Sequence, residues 1–294
     1  MAIEPVSRRR FLGRGALVLA AAAFGKSVAK LAAGETPVLQ FGLITDVHYA
    51  DREHAGSRYY RESLGKMREA VGKFRAAQPA FVVQVGDLID EAPTVAGEAG
   101  HAQIINAEFG KFAGDRYHVL GNHDVWTLTK AQYLEAVGQK EAHYSFDKAG
   151  FHFVVLDACY RRDGVAYGGK NNKWDDTDVP AAQREWLAED LHHAGKPTIV
   201  FIHQRTDIAG AHSISSDAAV RQIFEQSGQV LAVFQGHHHV NDHKEIAGIH
   251  YVTLMATVDG TGEVNNAYAL IDVFKDGTIA VNGFRKQKNY AVLH

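Results

Sequence analysis

Five short stretches of the chain end an apolar run with side chains able to hold a metal ion. Leu39–Thr45 runs into Asp46-Val47-His48, and Phe81–Val85 into Gly86-Asp87-Leu88-Ile89-Asp90. The run ending at Leu120 leads into Gly121-Asn122-His123-Asp124. Thr198–Ile202 ends in His203, and Val230–Phe234 leads into Gly236-His237-His238-His239. Any one of these strings is commonplace in a turn. Five in one chain, each closing an apolar run, point to a metal centre. Two carboxylates, Asp46 and Asp87, bring the charge that two divalent ions need, and a carboxylate with two oxygens is a natural bridge between ions. Neutral His and Asn fill further positions and leave room for water and substrate. The mixed nitrogen and oxygen donors suit Mn, Fe, Zn or Ni better than Ca or Mg. His123 follows Asn122 directly, so it lies beside the ions, and an imidazole is suited to proton donation near neutral pH. Asp90, three residues after Asp87, can accept from the other ring nitrogen and orient it.

The elements that must position these groups alternate. Strand-length runs rich in Val, Ile and Phe recur at Val38–Thr45, Ala80–Val85, Tyr117–Leu120, Phe151–Leu156, Thr198–Ile202 and Val230–Phe234, a composition suited to strands buried on both faces. Helical patterns fall between them at Tyr59–Ala77, Ala99–Phe112, Lys130–Val137, Ala181–His193 and Asp217–Gln226. The alternation predicts βαβ units. In open α/β sheets ligands gather outside the carboxyl ends of the strands, where all five strings lie. From Lys244 onward, short apolar runs between Gly248, Gly260, Gly262 and Gly277 predict an antiparallel meander. Tyr160–Asp178 lacks periodicity and reads as a long functional loop.

The 294 residues are 46% hydrophobic and 22% charged, which excludes disordered and fibrous classes. The formal net charge of −3 offers no basic surface, so nucleic acid is not an expected partner. Cys159 is the single cysteine, so no intrachain disulfide can form, and it reads as an inert apolar residue. Ser7-Arg8-Arg9-Arg10-Phe11-Leu12 before the uncharged run Ala16–Phe24 resembles a twin-arginine export signal. That run of nine residues is too short to span a bilayer, which takes roughly 20. The expected organisation is therefore a signal over residues 1–33, cleaved near 29 or 33, and one domain over 34–294. The expected location is the periplasm or the exterior, with the twin-arginine machinery as a partner and no membrane span in the mature chain. Cleavage after Ala29 removes five bases and one acid, which takes the net charge to about −7.

The order D-x-H, G-D-x-x-D, G-N-H-D, H, G-H-x-H from Asp46 to His239 resembles the calcineurin-like metallophosphoesterase superfamily. The resemblance implies an α/β fold of two packed β-sheets flanked by helices, a four-layer αββα sandwich. It implies two divalent ions (Mn, Fe or Zn), one held by Asp46, His48, Asp87 and His239, the other by Asn122, His203 and His237, with Asp87 between them. It further implies hydrolysis of small phosphoric esters by a bridging hydroxide, with His123 as general acid oriented by Asp90. Non-catalytic binding modules share the fold, but such modules lose ligands that this chain retains. A narrower set of strings resembles the manganese-dependent ADP-ribose/CDP-alcohol diphosphatases: Phe41–Asp51, Arg58-Tyr59-Tyr60-Arg61 with Ser63-Leu64, Gln84–Asp90, Leu156-Asp157-Ala158 and Gln183–Leu191. The chain departs from that family at His48, where Gln is usual, at Asp124, where Glu is usual, and over Gln204-Arg205-Thr206.

Substrate choice falls to the loops. Arg161, Arg162, Lys170 and Arg205 offer cations for a phosphate, and Tyr167 and Trp174 offer aromatic surface for a base. This balance favours phosphomonoesters slightly over nucleotide diphosphates. Arg58 and Arg61 read as a solvated first helical turn, and His212 as a surface histidine.

Overall fold

The computed structural model describes residues 35–293, so the expected signal over residues 1–33 and its expected cleavage positions lie outside the described residues. One sheet carries six strands in the order β12 (Tyr290–Leu293), β11 (Ile279–Arg285), β10 (Ala267–Val273), β1 (Leu39–Ile44), β2 (Phe81–Val85) and β3 (Asp115–Val119). Strands β1 to β3 are parallel, and β10 joins β1 antiparallel. The second sheet runs β4 (Tyr144–Lys148), β5 (Phe151–Val155), β6 (Thr198–Phe201), β7 (Val230–Gln235), β9 (Ile249–Thr253) and β8 (Asp242–Ile246). Its four central strands are parallel and its two edges antiparallel.

Side chains alternate across a strand, so each sheet has two apolar faces to bury. Phe81, Val83 and Val85 face the other sheet, while Val82 between them faces outward. The inner layer is aromatic: Phe41 stacks on Phe81 with centroids 5.0 Å apart and meets Phe153, Phe201 and Phe234 edge-on. Outside the first sheet lie α1 (Ser63–Ala77), α2 (Val95–Phe109) and α3 (Lys130–Val137), which bury Met67, Phe74, Ile105 and Tyr133 against Ile44, Val82 and Leu270. Outside the second lie α4 (Ala181–Ala194) and α5 (Asp217–Ser227), with Leu187, Leu191, Val220 and Phe224 against Val154, Val200 and Val233. The result is the αββα sandwich that the motif order implies. No helix among the described residues is long and apolar enough to cross a membrane.

Three local expectations change. Helix α2 starts at Val95, four residues before the apolar periodicity begins, because the Thr94 side chain accepts from Gly97 N and opens it. Strand β4, Tyr-Ser-Phe-Asp-Lys, is a half-buried edge with no apolar run to announce it. The C-terminal strands do not form one meander. The β8–β9 hairpin joins the second sheet, with β9 parallel to β7, whereas β10 to β12 fold back on β1.

Candidate metal centre

The carboxyl ends of β1, β2, β3, β6 and β7 meet at one edge of the sandwich, so the centre draws on both sheets. Five of the seven sequence-predicted ligands have left-handed backbone: Asp46 (φ 49°), His48 (45°), Asp87 (54°), His237 (66°) and His239 (56°). Asp, Asn and His enter this region more readily than other residues, but it still costs about 1–2 kcal/mol each. Sheet-like bonds hold them there. Asp46 N donates to Gly86 O at 3.0 Å, and His48 N to Asp87 O at 2.9 Å. Two glycines let the loops touch. A Cβ on Gly86 would lie 2.3 Å from the His203 ring, and one on Gly121 would lie 2.1 Å from Asp87 N.

The side chains form two facing groups. In one, His239 Nε2 lies 3.2 Å from Asp46 Oδ1 and 3.2 Å from His48 Nε2. In the other, Asp87, His203 and His237 converge, with His203 Nε2 3.1 Å from Asp87 Oδ2. Asp87 joins the groups, since the same oxygen is 3.5 Å from His48 Nε2. Asn122 Oδ1 and His237 Nε2 are buried without a hydrogen-bond partner. Buried, unsatisfied polar atoms cost about 1–3 kcal/mol each, and here they border two buried carboxylates. A cation on each group satisfies both, so the residues fit two divalent ions.

The electrostatics agree. Burial alone would raise the carboxyl groups, but the imidazole of His239, with His48 and His203, holds Asp46 well below its ordinary range. His203, His123 and His48 do the same for Asp87. Burial opposes protonation of His203, yet Asp87 lifts it to about 9, and Asp46 with Asp259 lifts His239 to about 10. His237 goes the other way, pushed well down by burial and by the charge on His203. Asp124 is no ligand. It accepts from Gly121 N and Ile89 N, and burial with the neighbouring Asp87 raises it to about 8.

His123 stands at the rim, its ring edge-on to His48 with centroids 4.6 Å apart. Asp90 Oδ1 lies 3.4 Å from its Nδ1. Asp90 does more than that. Its Oδ2 is 3.0 Å from His48 Nδ1, and Arg52 and Arg58 donate to its two oxygens at 2.8 and 3.3 Å.

Beside the centre opens a cavity of about 620 Å³ lined by Asp87, Asn122, His123 and His237 on the metal side. Trp126, Trp174, His212, Arg58 and Lys173 line its walls. Trp174 stands 5.1 Å from His212 and 5.8 Å from His237, ring to ring. Several loop expectations are corrected here. Arg205 is buried and paired with Asp207 (2.9 and 2.6 Å) and Asp242 (2.6 Å), so it cannot meet substrate. Arg161 pairs with Asp163, and Arg162 lies 3.7 Å from Asp176. Neither they nor Lys170 line the cavity. Tyr167 is a brace, donating to Lys173 O and Asp176 O. Arg61 is exposed and bound to Asp51 at 2.6 Å, whereas Arg58 and His212 do face the cavity. Cys159 is buried, as expected of an inert residue, and burial holds its thiol well above the ordinary value. Trp126, Lys173 and Asp259, which lies 2.9 Å from His239, were not marked by any motif.

A two-sheet sandwich whose strand ends gather Asp, His and Asn into two facing groups able to hold divalent ions defines a metal-dependent phosphoester hydrolase. The chain belongs to the calcineurin-like phosphoesterase family, whose model matches residues 39–241. Among individual proteins, it is similar to the manganese-dependent ADP-ribose/CDP-alcohol diphosphatase of Oryza sativa subsp. japonica. The two are 27% identical over 301 residues, covering 85% of this chain and 92% of the relative. The protein of that name from Danio rerio is 25% identical over 304 residues, covering 82% and 94%. The fold is also that of a dimetal phosphatase crystal structure from Danio rerio, with a TM-score of 0.75 and 21% identity over 88% of this chain and all of that one.

Proposed function

We propose that this protein is a diphosphatase cleaving the phosphoric anhydride of nucleotide-linked substrates of the ADP-ribose or CDP-alcohol kind. The observation that carries the reading is the cavity. A phosphomonoester needs little beyond the ions and one or two donors. Here about 620 Å³ of space adjoins the centre, walled by two indoles and flanked by Arg58 and Lys173. That is ample for a flat base and a second phosphate. The names of the relatives support the same substrate class. The order of preference drawn from the loop cations is reversed, because Arg205, Arg161 and Arg162 are held by carboxylates.

In this reading Asp46, His48, Asp87 and His239 would hold one ion, and Asn122, His203 and His237 the other, with Asp87 between. When bound, the ions lower the pKa of water and offset charge on the phosphoryl oxygens. His123 holds a proton on Nε2 for the leaving oxygen while Asp90 keeps Nδ1 engaged. Arg58, whose Nη1 is 3.4 Å from His123 Nε2, supplies a fixed positive charge on the leaving-group side. Trp126 and Trp174 present flat apolar surface to the base and exclude water from it. The comparison that tests this is kcat/KM for ADP-ribose against glycerol phosphate with manganese. A preference for ADP-ribose above about 100-fold, roughly 2.7 kcal/mol of transition-state binding, is expected. A preference for glycerol phosphate would overturn the reading. We also propose export by the twin-arginine route to the periplasm or beyond, on the strength of Ser7–Leu12 and the run after it.

A further inference from the structure

Lys66, on α1, is buried to 1% exposure. An ammonium taken out of water ordinarily needs a counter-ion. This one forms no ion pair among the described residues. It donates instead to two main-chain carbonyls, Thr257 and Gly260, each at 2.7 Å. These carbonyls flank Asp259 on a strap, residues 254–262, that runs from β9 to a short 3-10 turn at Glu263–Asn265 before β10. The strap is seated against the centre, since Thr257 N donates to Thr45 O and Val258 N to Asp46 O. Its other side meets the segment before α1: Gly260 N donates to Ser57 O and Tyr59 N to Val258 O.

The Asp259 side chain reaches a predicted ligand. Its Oδ2 accepts from His239 Nδ1 at 2.9 Å, and its Oδ1 accepts from Ser57 Oγ at 2.7 Å. The opposite ring nitrogen, Nε2, faces Asp46 and His48. An imidazole binds a metal through a nitrogen that carries a lone pair, and the hydrogen bond on the other nitrogen decides which one that is. Other ring nitrogens have their own partners: His203 Nδ1 donates to Val85 O, and His48 Nδ1 meets the Asp90 carboxylate at 3.0 Å much as His239 Nδ1 meets Asp259.

We propose that Asp259 is a positioning residue for the metal centre, fixing His239 with Nε2 free, and that the buried Lys66 holds Asp259 in place through the strap. The proposal rests on reading His239 as a ligand of one ion. Nothing in the motif order marks either residue, and neither contacts the cavity.

The test is a manganese titration of the metal-free, full-length domain, resolving the two binding steps, for the parent protein and for D259N, K66M, K66R and H239A. D259N keeps the shape of the side chain and removes its charge. It is expected to weaken one ion 10–100-fold, leave the other within about 3-fold, and leave the metal-free protein folded. Imidazole nitrogen NMR of the metal-free protein above pH 10, where His239 is neutral, should show the parent ring in its Nδ1–H form and the D259N ring as a mixture of both forms. K66M should weaken the same ion, K66R should restore part of the loss, and K66M with D259N should cost no more than D259N alone, because both act through one strap. Parent-like binding of both ions by D259N, or an equal loss of both, would overturn the role of Asp259. Additive losses, or failure of both Lys66 variants to fold, would overturn that of Lys66. If H239A keeps both ions, the ligand reading itself fails, which separates that failure from the failure of the proposal.

Discussion

Trp174→Ala should separate base recognition from phosphoryl chemistry. The indole is 46% exposed although it is one of the largest apolar side chains, and its free surface forms a wall of the cavity. A Trp buries roughly 150–250 Å² when fully covered, so about 100 Å² awaits a partner. At about 25 cal/mol per Å² that area is worth up to about 2.5 kcal/mol, in line with the roughly 1–3 kcal/mol found for stacking a base on an aromatic ring. The expected loss in kcat/KM for ADP-ribose is therefore about 5- to 70-fold, carried mainly by KM because the stack forms equally in ground and transition states. Glycerol phosphate has no flat group to stack and should change less than about 3-fold. Steady-state rates on both substrates with the same manganese concentration measure the split. Trp174→Phe should recover part of the loss. Equal losses on the two substrates, or an ADP-ribose loss under about 3-fold, would refute the aromatic-wall argument.

His123→Ala should retain both ions and lose about 10²–10⁴-fold in rate on alkyl esters, far less on nitrophenyl esters and anhydrides, whose leaving groups need little protonation; equal losses would remove His123 from the acid role. Asp87→Ala should release more metal than any other single ligand change, because Asp87 touches both groups and its Oδ1 also accepts from His123 N; elemental analysis of the purified variant decides this. His203 and His239 are raised to about 9 and about 10 in the metal-free protein, so both are charged at pH 7. Their protonated forms stabilise that fold fully below about 6.5, a contribution lost as pH rises through the raised values. Metal must displace these protons, so calorimetry in buffers of different ionisation enthalpy should record about two protons released per chain, with affinity rising toward pH 9–10; a release near zero contradicts it. Arg8→Lys with Arg9→Lys should leave active, unprocessed enzyme in the cytosol, and continued export of that variant would count against the twin-arginine proposal.

The sandwich and the metal groups were legible because both rest on short-range patterns. Strand-length apolar runs and the polar strings that close them are contiguous, and Asp46, Asp87 and His203 sit where such a run must end. The walls of the cavity were not legible, because tertiary pairing decides which loop cation is free. Arg205 lies two residues from His203 and looks available in sequence, yet Asp207 and Asp242 enclose it. Arg58 looks like a solvated helix start and is instead turned toward Asp90 and His123. Asp259 is 20 residues beyond His239 in an irregular segment, so no spacing rule connects the two. The single C-terminal meander failed for a related reason: Gly-bounded runs announce hairpins without naming the sheet that receives them.

The centre takes its donors from positions 46 to 239 and from strands of both sheets, so it cannot exist while the halves are apart. The first sheet contributes β1 to β3, the second β6 and β7, and the aromatic layer must close before the two sets of side chains face one another. Contacts of such long sequence separation form late in folding. Metal capture is therefore expected to close assembly, with the ions as rivets between two sheets that otherwise adhere through Phe, Val, Leu and Ile side chains. A chain that has captured its ions has, by that fact, finished folding. Chelation should lower its resistance to heat and to proteases by mass action, first along the seam between the sheets.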